Sequence, residues 1–186
     1  DAKLVNNGTI TIGTDSGITV SGTFTNKAGS IYTMTGTMAG SIDNAGTVEF
    51  NGRASANVFI NLTSADATAN LVAVVSGDNA VYVTDDGYKS STKTPFANEE
   101  NDVNYVLLKG KTGFSAGGIT VKTTTYAKDA DGNGKDETYK GLDISGTVVV
   151  SAVTGTANAD SAVLRLAGDD LFVSQTLNVG AGTQFA

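Results

Sequence analysis

The chain contains no histidine, no cysteine and no tryptophan, and it has a single proline among its 186 residues. Without cysteine there is neither a disulfide framework nor a thiolate metal site. Without histidine the usual general base is missing, and with it the Ser-His-Asp and Cys-His triads and most zinc sites. Two carboxylates can still hydrolyse a glycoside unaided. Such an enzyme needs a cleft lined with aromatics, and aromatics make up 7% of this chain. No catalytic residue set stands out, and the chain is read as a non-enzyme.

Basic residues are scarce as well. Lys and Arg number 12 against 19 acidic residues, a net charge of -7. The only arginines are Arg53 and Arg165. An acidic chain in which no basic cluster interleaves with aromatics repels phosphate backbones, so nucleic acid is not an expected partner. No apolar run approaches the roughly 20 residues that cross a bilayer as a helix, and no transmembrane segment is expected. Asp1-Ala2-Lys3 shows no signal-peptide pattern and reads as a mature terminus from which an export signal has been removed. A cysteine-free, acidic composition rich in Gly, Thr, Ser and Asn points to the cell surface or the extracellular space.

What the chain does have is alternation. Short runs of β-branched residues separated by Gly and Asn occupy residues 8–12, 17–21, 22–25, 30–34, 46–50 and 57–61. In the first of these, period-two alternation places Ile10 and Ile12 on one face and Thr9 and Thr11 on the other, which suits a pleated surface. Further runs lie at 70–75, 80–84, 103–108, 118–126, 137–144, 146–153, 162–167 and 171–179. Leu71 to Val75 is continuously apolar and predicts a strand buried on both sides. No window has helical spacing with a cap. The prediction is one all-β domain over residues 1–186, with a candidate subdomain seam near 65–68. Residues 85–102 form the longest irregular segment and read as a surface loop.

The runs also resemble one another. Asn7-Gly8-Thr9-Ile10-Thr11-Ile12 matches Asn44-Ala45-Gly46-Thr47-Val48-Glu49-Phe50, and Gly146-Thr147-Val148-Val149-Val150 echoes both. On this pattern the first third of the chain resembles the passenger regions of bacterial autotransporters and related adhesins. The resemblance implies short units stacked into a β-solenoid. Antiparallel hairpins are expected after it. A β-sandwich of the jelly-roll kind is the alternative, because parallel and antiparallel pairings share the same alternation.

One stretch gathers chemistry. Asp129, Asp131 and Asn133, followed by Gly134, match the first half of the calcium-loop pattern D-x-[DN]-x-[DN]-G. That spacing folds oxygen ligands around one hard cation, with the Lys135 carbonyl next in line. The stretch resembles calcium loops of the EF-hand, dockerin and thrombospondin-repeat kind. The departure is at the twelfth position, where Lys140 stands in place of a bidentate Glu. Asp136 or Glu137 can replace that ligand only if the loop closes as a hairpin tip between the runs at 118–126 and 137–144. The plainer reading is a turn rich in Asp, Gly and Asn. Asp85-Asp86 and Asp169-Asp170 are adjacent acids that point to opposite faces of a strand and make no ready site. Asn7 and Asn61 begin glycosylation sequons by pattern alone.

These observations converge on an extracellular structural or adhesive protein, a self-assembling subunit of a pilus-like filament, a fibre or a surface layer, stabilised by calcium. Few Pro or Lys residues guard the strand edges, and unguarded edges pair with other chains. The expected assembly strand lies between Val5 and Phe24 and includes Thr9, Ile10, Thr11, Ile12, Ile18 and Val20. The rival is a calcium-dependent module that binds carbohydrate or a host protein. A polysaccharide hydrolase using Asp pairs is a third option. Deleting residues 1–12 is expected to abolish polymers and leave a folded core; polymers of normal length after that deletion would sink the strand-addition reading.

Overall fold

The computed structural model describes residues 3–75, 79–85, 105–110, 114–129, 131–152, 162–168, 170–173, 175–180 and 183–185. Among them there is no helix, and so none long and apolar enough to cross a membrane. In chain order the strands are β1 (Lys3–Asn6), β2 (Thr9–Ile12), β3 (Gly17–Val20), β4 (Thr23–Asn26), β5 (Ile31–Met34), β6 (Thr37–Asn44), β7 (Thr47–Phe50), β8 (Arg53–Leu62) and β9 (Thr68–Val75). They continue with β10 (Val81–Thr84), β11 (Tyr105–Gly110), β12 (Phe114–Lys128), β13 (Glu137–Ala152), β14 (Ala162–Ala167), β15 (Leu171–Phe172), β16 (Leu177–Val179) and β17 (Thr183–Phe185).

The first half winds as a β-solenoid of about four turns. Its pairings are parallel, and they build three walls. The first wall stacks β1, β4, the second half of β6, the second half of β8 and β10. The second stacks β2, β5, β7 and β9. The third stacks β3, the first half of β6, the start of β8 and the end of β9. Parallel register from coil to coil is not a jelly roll, whose neighbours run antiparallel.

Alternation explains why these walls close around a core. In β5 and β7, Tyr32, Met34, Val48 and Phe50 point inward and are completely buried, while their neighbours face outward. Each such side chain contributes about 1.5–3 kcal/mol by leaving water. Phe24 meets Tyr32 edge to face, with ring centroids 4.8 Å apart. Burial pushes the Tyr32 phenol well above its ordinary range, and its hydroxyl donates to the Met38 sulfur at 4.0 Å. The strand at 71–75 differs from the expectation of two-sided burial. Leu71 is buried but Val72 is 43% exposed, because a solenoid wall has one face in water. Two-sided burial occurs instead in β10, where Tyr82 stacks outside the wall on Phe59 and packs with Tyr105 and Leu107.

The corner between the first and second walls carries a ladder of buried asparagines. Asn6 Nδ2 donates to Asn26 Oδ1, and Asn26 Nδ2 donates to Asn44 Oδ1, each at 2.8 Å. The same amides donate to the backbone carbonyls of Ile31, Thr47 and Thr68 in the next coil. Asn6 and Asn44 also accept from the N–H of Gly8 and Gly46, which turns the chain into the second wall. At the next coil Leu62 occupies the Asn44 register and the ladder gives way to apolar packing. The structural equivalence is thus Asn6, Asn26 and Asn44, one residue away from the match of Asn7 with Asn44 read in the sequence. Gly146 is in register with Ile119, Leu71 and Phe50 at the end of the second wall, so Thr147 follows that wall and is not a member of the set. At the corner between the second and third walls, the coils approach so closely that a Cβ on Gly36 would sit 2.0 Å from the Ser16 carbonyl oxygen, and one on Gly52 2.2 Å from that of Gly36.

The second half keeps the walls but reverses the winding for one coil. β11 pairs antiparallel with β10, and β12 runs antiparallel across β9 on the third and then the second wall. β13 returns antiparallel along β12, and β14 returns antiparallel along β11. β15 and β16 then stack in parallel on β13, and β17 on β14. Two reversals restore the starting direction, so the last coil circulates as the first does. The run at 171–179 is divided by a corner into β15 and β16, and β6 and the start of β8 were not visible as runs because Gly40 and small residues interrupt their alternation. Residues 65–68 form the corner into β9, with Ala67 buried. The proline-containing segment at 86–104 lies outside the described residues.

Replacing Asn26 by Ala removes the central rung and leaves the amides of Asn6 and Asn44 short of a partner. An unsatisfied buried polar group costs about 1–3 kcal/mol, so Asn26→Ala is expected to lower the unfolding midpoint measurably. An unchanged denaturant midpoint would show that the ladder contributes nothing.

Candidate functional site

Two places carry the residues singled out in the sequence. The first is the open edge of the first coil. Thr9 and Thr11 face water, and Ile10, Ile12, Ile18 and Val20 point toward the core yet stay partly exposed. They are core residues without the next layer. Among the described residues β1, β2 and β3 pair on one side only, with β4, β5 and β6. Parallel pairing alternates the backbone groups between the two sides of a strand. Ile31 N–H and Thr35 N–H donate to the carbonyls of Gly8 and Ile12, so the amides of Thr9 and Thr11 aim the other way, off the edge of the sheet. At the same end Leu4 is 40% exposed although its partner Phe24 is buried. Deleting residues 1–12 would uncover β4 and β5, an edge of the same kind, so blocking the edge is the sharper experiment.

The second place is the tip between β12 and β13. These strands pair from Ser115 with Ser151 to Lys128 with Glu137, and residues 124–128 and 137–141 run past β9 and β15 as a two-stranded ribbon. On its outer face Tyr126 pairs with Tyr139, and Phe172 packs against Tyr126 with centroids 5.0 Å apart. The Tyr126 hydroxyl donates to Asp170. Lys128 Nζ lies over the Tyr139 ring, 6.0 Å from its centroid.

At the tip, the backbone N–H groups turn inward on the acids. Asn133 N–H donates to Asp129 Oδ1 at 3.0 Å and to Asp131 Oδ1 at 3.1 Å, and Gly134 N–H donates to Asp129 Oδ2 at 2.8 Å. The Asn133 amide donates to Asp131 Oδ2, and its oxygen accepts from Lys135 N–H. Each carboxylate oxygen keeps a second lone pair for another partner. Ligand oxygens of Asp129, Asp131 and Glu137 all lie within 4.8 Å of one another. That span is what a hard cation allows when it contacts oxygens at about 2.4 Å on opposite sides. Glu137 Oε2 is shielded from water and has no hydrogen-bond donor. The acidic triad therefore can hold a metal ion. Glu137 supplies the third carboxylate, as hairpin closure requires. Asp136 stays outside the group, Lys135 is exposed, and Lys140 pairs with Thr125 in the ribbon.

Elsewhere the candidate residues do not assemble. Asp85 is buried, Asp170 holds Tyr126, and Asp86 and Asp169 lie outside the described residues. Asn61 is buried between Asp43 and Thr84, so its sequon is closed to modification, whereas Asn7 is exposed. Sequence reasoning missed the asparagine ladder, whose signal is the repeated Asn-x-Gly-Thr at 6–9 and 44–47. Compared with known proteins, the chain matches no family model, no curated protein and no solved structure.

A cation that binds only the folded tip raises stability by about 2.7 kcal/mol at 100 times its Kd. Thermal unfolding with increasing calcium is expected to show this rise in the parent chain and to lose it in the Asp129→Ala, Asp131→Ala double variant. Equal midpoints in both proteins at every calcium concentration would show that the triad holds no ion.

Proposed function

We propose that the chain is a structural protein of the cell surface or extracellular space, a self-assembling subunit of a fibre, pilus-like filament or surface layer. The observation that carries this reading is the open first coil. Among the described residues its strands pair on one side only along all three walls, and its inward aliphatics Leu4, Ile10, Ile12, Ile18 and Val20 are incompletely covered. An edge of this kind recruits another strand. The adhesin resemblance of the sequence belongs to the same reading, since stacked β-coils serve there as stalks.

Calcium at Asp129, Asp131 and Glu137 would stiffen the projecting ribbon by neutralising its carboxylates, with water completing the coordination of a hard ion. Its role in this reading is mechanical. The charges sit on a turn, the donors are all oxygens, and the buried bare oxygen of Glu137 is the atom that gains most. A second reading, a calcium-dependent carbohydrate-binding module, is favoured by one observation: the half-exposed rings of Tyr126, Tyr139 and Phe172 beside Asp170 on the same ribbon.

Electron microscopy and sedimentation of the purified chain, with and without calcium, separate these readings. The structural role predicts polymers whose mass rises with protein concentration and which soften or dissociate in EDTA. A chain that stays monomeric at about 100-fold above micromolar working concentrations, yet binds glycans only with calcium, would establish the module instead.

A further inference from the structure

We infer that the tip between β12 and β13 is a site of self-modification, at which the chain converts its own Asn133 from an amide into an acid. The inference goes beyond the structural role proposed above and does not depend on a bound ion. An asparagine followed by glycine can lose its amide when the next backbone nitrogen attacks the side-chain carbon, because glycine has no Cβ to hinder the approach. The sequence holds three such pairs, Asn7-Gly8, Asn51-Gly52 and Asn133-Gly134. The dipeptide is the same in each, so the fold is what tells them apart.

One pair is prepared for the attack. Gly134 N–H, the attacking group, donates to Asp129 Oδ2 at 2.8 Å, a carboxylate placed to take its proton. Lys135 N–H donates at 2.8 Å to Asn133 Oδ1, the atom on which negative charge develops as the nitrogen attacks. That bond closes an Asx turn, which folds the side chain back over the Gly134 nitrogen. The Asn133 amide nitrogen is held by Asp131 Oδ2 at 2.8 Å. Asp129, Asn133 and Gly134 are all exposed, so water reaches the site. Apart from its chain neighbours, nothing lies within 4 Å of where a Gly134 Cβ would stand, and the backbone has room to close the ring. The other two pairs lack these features. Gly8 N–H donates to Asn6 Oδ1, a neutral amide of the buried ladder that takes no proton. Gly52 is buried, a Cβ there would sit 2.2 Å from the Gly36 carbonyl oxygen, and the backbone hydrogen bonds of Asn51 and Arg53 hold it on both sides.

The reaction balances with water as its one co-reactant. The Gly134 nitrogen bonds to Asn133 Cγ, and its proton passes to Asp129. The Cγ–Nδ2 bond then breaks, and Nδ2 leaves as ammonia with that proton, relayed through solvent. The five-membered imide that remains is opened by one water at either of its two carbonyls, which gives aspartate or its β-linked isomer at 133. Nothing is oxidised or reduced. Either product sets a fourth carboxylate beside Asp129, Asp131 and Glu137.

The test holds the intact chain in warm neutral buffer with a chelator and follows each pair by peptide mass spectrometry. Asn133 is expected to convert first, Asn7 more slowly and Asn51 slowest. Asp129→Asn keeps an oxygen for the Gly134 N–H but cannot take its proton. It is expected to slow conversion at Asn133 by about 100-fold, the low end of what a positioned base supplies, and to leave Asn7 unchanged. Circular dichroism checks that the variant folds, and Asp129→Ser replaces it if it does not. In denaturant the three pairs of the parent chain are expected to converge on one rate. Conversion at Asn133 no faster than at Asn7 and Asn51 would overturn the inference. So would an Asp129→Asn variant that converts as fast as the parent, or a ranking that survives denaturation.

Discussion

Everything in this fold depends on one constraint: the wall of each coil is hydrogen-bonded almost wholly by the coils before and after it. Lys27, Ala45 and Thr63 donate their N–H groups to Asn6, Asn26 and Asn44 of the preceding coil, so even the corners take part in the ladder. A buried backbone group without a partner is expensive, and therefore the side chains at the corners are chosen for what the neighbouring coil offers. Asparagine fits where both a donor and an acceptor must be matched along the axis. Glycine fits where the carbonyl of the coil below leaves no room for a Cβ, as at Gly36 and Gly52. The hydrophobic interior is then a by-product of alternation, column upon column of inward residues.

The same constraint shows in the first and last coils: among the described residues, interior coils are paired on both sides, and these two on one. This is why Leu4, Val179 and Phe185 are exposed in core positions, whereas Phe24, Val148 and Leu164 beside them are completely covered. The reversed coil formed by β11 and β12 would by itself leave the two ends with opposed strand directions. The hairpin capped by Asp129, Asp131 and Glu137 turns the chain back and restores a common direction. A ribbon held rigid at its tip would fix the course of β13, on which β15 and β16 stack.

Some of this was legible before any coordinates. Ile10 and Ile12 alternate with Thr9 and Thr11, and the walls are built of such pairs. The spacing of Asp129, Asp131 and Asn133 marked the tip, and the flanking runs marked its hairpin. Less visible was the period of the solenoid, because Thr9, Ile31, Thr47 and Thr68 occupy one column at unequal spacings. The corners absorb the difference, so the repeat shifts by a residue when read as a string. That is how Asn7 was matched with Asn44 in place of Asn6. Glu137 joins the group as the first residue of β13, whereas Asp136 lies in the turn before it.

Local sequence by itself determined that the chain forms short one-sided strands with tight polar corners, because alternation, β-branching and glycine act within a few residues. It also determined that acids gather at 129–137. Only the tertiary structure decided whether those strands stack in parallel and where the winding reverses. Those depend on hydrogen bonds between residues far apart in sequence, for which a Thr or Ile carries the same local signal in either pairing.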